Sequence, residues 1–218
     1  RNHSSAASDV YKRQVNGAPD CYFQDPESVD LENILSELGN DLVIKPIDQG
    51  SSVALFVIRG REEFQNALST IDEGNWMIER RIFGREMTVG VLRGESMGVV
   101  EVIPDGGVYD FKRKYSAGAT EYRYPAVLPL DLENGLKRNA EIVFQHCGCR
   151  DFARVDFIVC EDGHAHFLEI NTLPGLTSTS LLPKSASCSG YDFQSLAMRL
   201  VEPAVDRFAQ SVGNLLET

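Results

Sequence analysis

Residues 166–180 read HFLEINTLPGLTSTS, an apolar strand pattern that ends in Glu169 and Asn171, one residue apart, followed by Pro-Gly and a run of hydroxyls. A carboxylate and an amide separated by two positions on a strand share one face. Upstream, residues 151–165 contain Arg154, Asp156 and an Asp162-Gly163 pair, a favoured two-residue hairpin connection. A turn there sets Asp156 opposite Glu169 and Arg154 opposite Asn171. The core face then receives Ala153, Val155, Phe157, Leu168 and Ile170. Two carboxylates facing each other across neighbouring strands lie about 5 Å apart and repel. Arg154 neutralises part of that charge. A hard divalent cation does so better, because magnesium takes oxygen ligands from one or two carboxylates and completes its shell with phosphate. Asp156, Glu169 and Asn171 therefore form a candidate metal set, with Glu169 placed to bridge two ions. The plainer alternative is a solvated polar sheet face. The Gly-Leu-Thr-Ser-Thr-Ser stretch beside it, with backbone N–H groups able to meet an anion, favours the metal. His164 and His166 flank the turn and read as surface imidazoles.

A magnesium ion held this sparsely expects a phosphate partner. The chain has neither G-x-x-x-x-G-K-[ST] nor G-x-G-x-x-G. Lys45 instead ends a strand just before QGSSV (49–53), a turn able to offer N–H groups and hydroxyls. Glu79 and Glu86 stand at strand ends where a carboxylate accepts from ribose hydroxyls, or is merely solvated. Residues 109–122, YDFKRKYSAGATEY, carry Lys112, Arg113, Lys114 and Tyr115 in a cationic loop that reads as a lid over a nucleotide or as a solvated basic loop.

These residues need scaffolding, and the hydrophobic periods supply it. Helices are expected over 31–39, 61–71, 133–148 and 192–210, the last broken or restarted at Pro203. Strands are expected over 41–46, within 50–58 after a Gly-Ser turn, and over 75–84 up to a turn. Hairpins are expected over 85–103, turning at 93–95, and over 151–171. Residues 104–125 read as a long loop. The mixture lacks strict β-α alternation and indicates an α+β fold with helices on mainly antiparallel sheets.

The chain has 218 residues, 43% hydrophobic and 24% charged, with a formal charge of −11. The acidic balance argues against a nucleic-acid partner. No run of about 18 apolar residues is present to cross a membrane. The five cysteines are odd in number and lack C-x-x-C, so HCGC (146–149) reads as a helix end with reduced thiols, and the setting as cytoplasmic.

Residues 4–14, SSAASDVYKRQ, match the in-frame translation of a transposase adapter used to fragment DNA for sequencing. Residues 1–14 are therefore expected to be an artefact, with genuine sequence from about Val15 and coding sequence lost upstream.

In order, LVIKP…QGSSV, MIERRIFGREMTV, YDFKRKY, ARVDF and LEINTLPGLTSTSL resemble the ATP-grasp enzymes, and more narrowly the D-alanine–D-alanine ligase family, from about Leu42 to Leu200. The resemblance implies an ATP-grasp fold, two α+β subdomains with mainly antiparallel sheets gripping ATP between them. The expected divisions are 15–83 for the central subdomain, 84–211 for the C-terminal one and 212–218 for a tail, after a missing N-terminal substrate domain. It also implies ATP-dependent joining of two D-alanines through an acyl phosphate for peptidoglycan synthesis, by a protein whose full-length form is a homodimer. Lys45 and Lys114 then contact ATP phosphates, Glu79 and Arg80 lie at the adenine, and Glu86 binds ribose. Asp156, Glu169 and Asn171 hold two magnesium ions, or manganese. Arg154 and the Gly175 N–H meet the developing oxyanion. Ser51 and Tyr115 fix substrates and the closed loop, and Ser180 and Leu181 meet the second D-alanine. Lys114-Tyr115 matches the dipeptide-forming branch. Ala54, Val108 and Arg81 depart from the family pattern around the nucleotide. A chain without the N-terminal domain is expected to bind Mg-ATP weakly and to turn over poorly. The alternatives are another ATP-grasp carboxylate–amine ligase and an ATP-binding module without catalysis.

Overall fold

The strands that carry the opening motif lie in a five-stranded antiparallel sheet. The computed structural model describes residues 15–47, 54–104 and 120–216. It divides into two units, Gly17–Phe83 and a larger one that begins at Gly84 and takes in residues 15 and 16.

The smaller unit runs β1 (Asp20–Phe23), a 3-10 turn (Pro26–Ser28), α1 (Leu31–Leu38), β2 (Asp41–Pro46), β3 (Phe56–Arg59), α2 (Gly60–Leu68) and β4 (Trp76–Arg80). Asp30 caps α1 by accepting from the Asn33 N–H at 3.1 Å. Gly39, at φ +89°, ends the helix in a conformation that glycine adopts without strain. The sheet order is β1-β4-β2-β3, all antiparallel. Leu42 and Ile44 alternate with Val43 and Lys45 along β2, so one face joins Ile58, Ile78, Ile34 and Phe64 in the core. The sequence pattern did not separate β1, whose four residues, DCYF, form an edge strand against β4.

The larger unit runs β5 (Arg85–Leu92), β6 (Glu95–Pro104), β7 (Thr120–Arg123), α3 (Leu130–His146), β8 (Phe152–Val159), β9 (Ala165–Asn171), α4 (Leu181–Cys188) and α5 (Phe193–Leu216). Its order is β7-β6-β5-β8-β9, again antiparallel throughout. The α+β class read from the sequence is the fold observed. Arg93 and Gly94, at φ +55° and +87°, form the two-residue β5–β6 turn. One sheet face, Met87, Val89, Val91, Val155 and Phe157, packs on Leu136, Ala140, Val143 and Phe144 of α3. Val15 is buried in the same cluster. The other face is covered in part by α4 and α5, through Leu182, Ala186 and Leu196. α4 lies close on this face because of Gly90 and Gly98. A Cβ on Gly98 would stand 2.1 Å from the Cys188 Cβ, and one on Gly90 2.8 Å from Leu182.

Three expectations are corrected here. Residues 120–123 of the supposed 104–125 loop are a strand. α4 was not foreseen, because LLPKSASC places a proline, a lysine and two serines where a helical stripe would be sought. α5 continues through Pro203, which removes one backbone hydrogen bond without ending the helix. Among the described residues no helix is long and apolar enough to cross a membrane.

Candidate active site

The β8–β9 hairpin places Asp156 opposite Glu169 and Arg154 opposite Asn171, the pairing its sequence implies, by a different route. At the tip, Cys160 donates to the His164 carbonyl and Gly163 donates to Cys160. The loop is thus three residues, 161–163, with Gly163 at φ +84°. Phe157 pairs with Phe167, one residue off the expected register, and a bulge before Asp156–Glu169 restores it. The extra residue is Leu168. Phe167, not Leu168, therefore joins Ile170 against the core, and its ring meets Phe157 edge-on at 6.3 Å. His164 is exposed beside Asp162. His166 is half-buried, with its Nδ1 shut from solvent.

Asp156 is only 3% exposed, and three contacts hold its side chain. Arg154 donates through Nε to Oδ1 at 2.9 Å and through Nη2 to Oδ2 at 2.8 Å. The Thr88 hydroxyl, opposite on β5, donates to Oδ1. Arg154 Nη2 also lies 3.9 Å from Glu169 Oε1. Burial works against the Arg154 charge, but Asp156, Glu169 and Glu86 together outweigh it and raise the pKa above its ordinary value. Glu86 is buried on β5, two residues from Thr88, on the same face. The polar alternation Glu86, Thr88 against Met87, Val89 was a period-two signal for Thr88 that the sequence reading passed over.

Asp156, Glu169 and Asn171 suit a hard cation. Asp156 Oδ2 and Asn171 Oδ1 accept from one residue each, Arg154 and the Leu173 N–H at 3.1 Å, and both keep lone-pair capacity. Glu169 is exposed. Among the described residues no three His, Cys, Asp or Glu side chains group as a metal cage. The donors are two carboxylates and an amide, a set that leaves magnesium to draw further oxygens from a ligand.

The hydroxyl run folds on itself. Ser180 Oγ accepts from the Thr177 N–H at 3.1 Å and lies 2.8 Å from Thr177 Oγ1, while the Ser180 N–H donates to the Thr177 carbonyl. Gly175 packs so closely that a Cβ there would sit 2.8 Å from Ser180 Oγ. Ser180 precedes α4 without a side-chain cap, and Leu181 opens the helix.

In the smaller unit, Lys45 Nζ donates to Glu79 Oε1 at 2.8 Å, so the two residues assigned to a nucleotide meet each other. Arg80 has a structural task. Its Nε and Nη2 donate to the Leu38 and Glu37 carbonyls at 2.9 and 3.0 Å, closing the C-terminus of α1. Arg81 stacks on Phe83 at 4.7 Å. Ala54 takes φ +55°. Ser51, Lys114, Tyr115 and the 49–53 turn lie outside the described residues, as does Val108.

A cluster the sequence reading missed lies on β6. Glu101, 5% exposed, accepts from Arg85 at 2.7 and 2.9 Å and from Arg123 at 3.0 Å, tying β5, β6 and β7 together. The Arg85 hydrogen bonds, followed by the charges of Arg85 and Arg123, overcome burial and hold the Glu101 carboxyl below its ordinary 4.5.

An antiparallel α+β pair of units with this carboxylate–arginine–amide face is the architecture of the ATP-grasp ligases. The chain belongs to the family described as D-ala D-ala ligase C-terminus, whose match spans residues 21–202. It is 39% identical over 174 residues to a D-alanine–D-alanine ligase of Geobacter sulfurreducens, covering 78% of this chain and 55% of that protein. It is 41% identical over 165 residues to one of Syntrophotalea carbinolica, covering 75% and 54%. The chain thus spans about half the length of the curated relatives it matches. Among solved structures, the D-alanine–D-alanine ligase of Bacillus anthracis superposes with a TM-score of 0.79 at 26% identity, over 94% of this chain and 67% of that one. The VanG D-Ala:D-Ser ligase of Enterococcus faecalis gives 0.78 at 25% identity, over 90% and 59%.

Proposed function

We propose that this chain is the ATP- and metal-binding part of an ATP-dependent ligase that joins two D-alanines for peptidoglycan synthesis. The observation that carries this reading is the β8–β9 register, which opposes Asp156 to Glu169 and Arg154 to Asn171 in a chain whose family match runs through both strands. The ATP complex of the Bacillus anthracis ligase, at a TM-score of 0.76, supports ATP as the nucleotide.

Asp156, Glu169 and Asn171 would hold magnesium, which when bound offsets charge on a transferring phosphoryl group. The other roles belong to the chain's own residues. Lys45 and Lys114 neutralise phosphates, and Glu79 and Glu86 accept from the nucleoside. ATP passes its terminal phosphoryl to a carboxylate oxygen of the first D-alanine, releasing ADP. The amine of the second attacks that carbonyl carbon and loses a proton, and phosphate departs. Arg154, already fixed on Asp156, and the Gly175 N–H face the oxygen on which negative charge grows. Ser51 and Tyr115 position the substrates, and Ser180 and Leu181 hold the acceptor. The five free thiols support a reducing, cytoplasmic setting, and a homodimer is proposed for the full-length protein.

The test is ATP-dependent phosphate release by the complete gene product with D-alanine as sole amino acid, with D-serine and D-lactate offered separately as acceptors. Release that needs D-alanine and magnesium, with a D-alanyl-D-alanine product, supports the reading. Release only with another acceptor moves the substrate within the family, and none with any acceptor overturns the ligase. Glu169→Gln is expected to abolish magnesium-dependent ATP binding while leaving the melting temperature within about 2 °C, since this side chain is exposed.

A further inference from the structure

Lys184 is 8% exposed, a rare degree of burial for a lysine without a carboxylate partner. Among the described residues it forms no ion pair. Its ammonium lies 4.8 Å from the centre of the Tyr122 ring and 5.7 Å from that of Tyr124, and donates to the Thr179 carbonyl. Burial pushes its pKa down. A charge kept there at that cost is doing something that a leucine at the same helical position would not.

The placement shows what. Helical side chains lean back toward the N-terminus, so Lys184, one turn into α4, reaches the residue before Ser180. Its own N–H donates to the Ser180 carbonyl at 3.2 Å, the first bond of the helix. Pro183 has no N–H. The N–H groups of Leu181 and Leu182 open the helix without a side-chain cap from Ser180. Turning the Thr179 carbonyl onto Lys184 keeps it from those donors. The same ammonium joins the turn to β7 through the two rings, and Tyr122 sits in one row across the sheet with Val102, Glu86 and Ile158.

We propose that Lys184 is a positioning residue for the acceptor amino acid. Wedged between Tyr122 and Tyr124, it holds the Thr179 carbonyl and so fixes the turn that presents Ser180 and the Leu181 N–H to the acceptor carboxylate. This inference rests on the ligase reading above. It adds a residue that acts through the turn, without touching substrate, and whose effect falls on the acceptor and not on ATP.

Two measurements on Lys184→Met and Lys184→Arg test it. Methionine keeps the stem packed against the rings and removes the charge, while arginine restores a cation. In the complete gene product, Lys184→Met is expected to raise the KM for acceptor D-alanine about tenfold, with kcat and the KM for ATP within about twofold. Lys184→Arg is expected to recover most of the loss. In the chain itself, amide hydrogen exchange over 177–182 is expected to accelerate about tenfold in Lys184→Met, with exchange in β8 and β9 unchanged. Unaltered exchange over 177–182, or a KM change shared equally by ATP and acceptor, overturns the proposal. A general acceleration of exchange would mean that Lys184 only stabilises the fold, and overturns it too. If the complete protein shows no D-alanine-dependent turnover, the ligase reading fails on its own terms, while the exchange data still decide whether Lys184 holds the turn.

Discussion

Arg154–Asp156 and Lys45–Glu79 are both ion pairs closed at 2.8 Å, and they are built on opposite plans. The arginine fork meets both oxygens of its carboxylate, with Thr88 fastening one of them from the neighbouring strand, at side-chain exposures of 15% and 4%. The lysine makes one contact from the end of a flexible stem, at 24% and 14%. A rigid, bidentate guanidinium suits a charge that must stay where it is while other charges move. A point-like ammonium on four carbons suits one that exchanges partners, as the phosphate contact proposed for Lys45 requires. Equal distances thus hide unequal stiffness, and the stiffness follows the chemistry proposed for each residue.

The contrast breaks most visibly at Arg154. Arg154→Met leaves Asp156 buried without its cation and is expected to cost about 3 kcal/mol or more in urea unfolding. Adding Asp156→Asn should recover part of that loss, since the two changes are coupled. If the single variant unfolds like the parent, the pair is not the rigid centre described here.

Next in size is Glu101→Gln, expected to cost about 1–3 kcal/mol at neutral pH through its hydrogen bonds to Arg85 and Arg123. Its folded pKa is depressed, so the unfolded chain binds the proton more readily. The contribution is complete above about pH 4.5 and fades as the pH drops through the lower folded value. The variant's stability should therefore fall less steeply on the acid side than the parent's, as urea midpoints from pH 6 to pH 3 would reveal.

Thr88→Val, which keeps the shape and loses the donor to Asp156, should cost about 1 kcal/mol. Smallest of all, Glu79→Gln is expected to shift stability by less than about 1 kcal/mol, because a partly exposed single-contact pair contributes little. A loss at Glu79 as large as that at Arg154 would erase the distinction between a fixed and an exchangeable pair.

The candidate site was legible where charge fell on a strand's period of two beside a strong turn signal. That is why Arg154, Asp156, Glu169 and Asn171 could be set on one face from residue types alone. The register reached that face through two offsets that cancel, a loop one residue longer than Asp-Gly suggests and a bulge at Leu168. Neither has a local signature, and Leu168 was consequently assigned to the core in place of Phe167. Arg80 was illegible for another reason. Its partners are carbonyls of Glu37 and Leu38, more than forty positions away, which no short pattern registers. α4 escaped because its burial comes from Gly90 and Gly98 beneath it, with only a short apolar stripe of its own. The small edge strand β7 carries too few residues for alternation to stand out from the sequence before it.

The Leu168 bulge makes the outer end of the hairpin a place to attach things. The three-residue loop with its bulge delivers the pairing at Arg154 and Asp156 that a two-residue turn without a bulge would give. Residues 161–164 are all exposed. A peptide tag, a fluorophore or a surface tether grafted there extends from exposed residues at the far end of the ladder from Arg154 and Asn171. The hairpin is a handle that can be held without turning the blade.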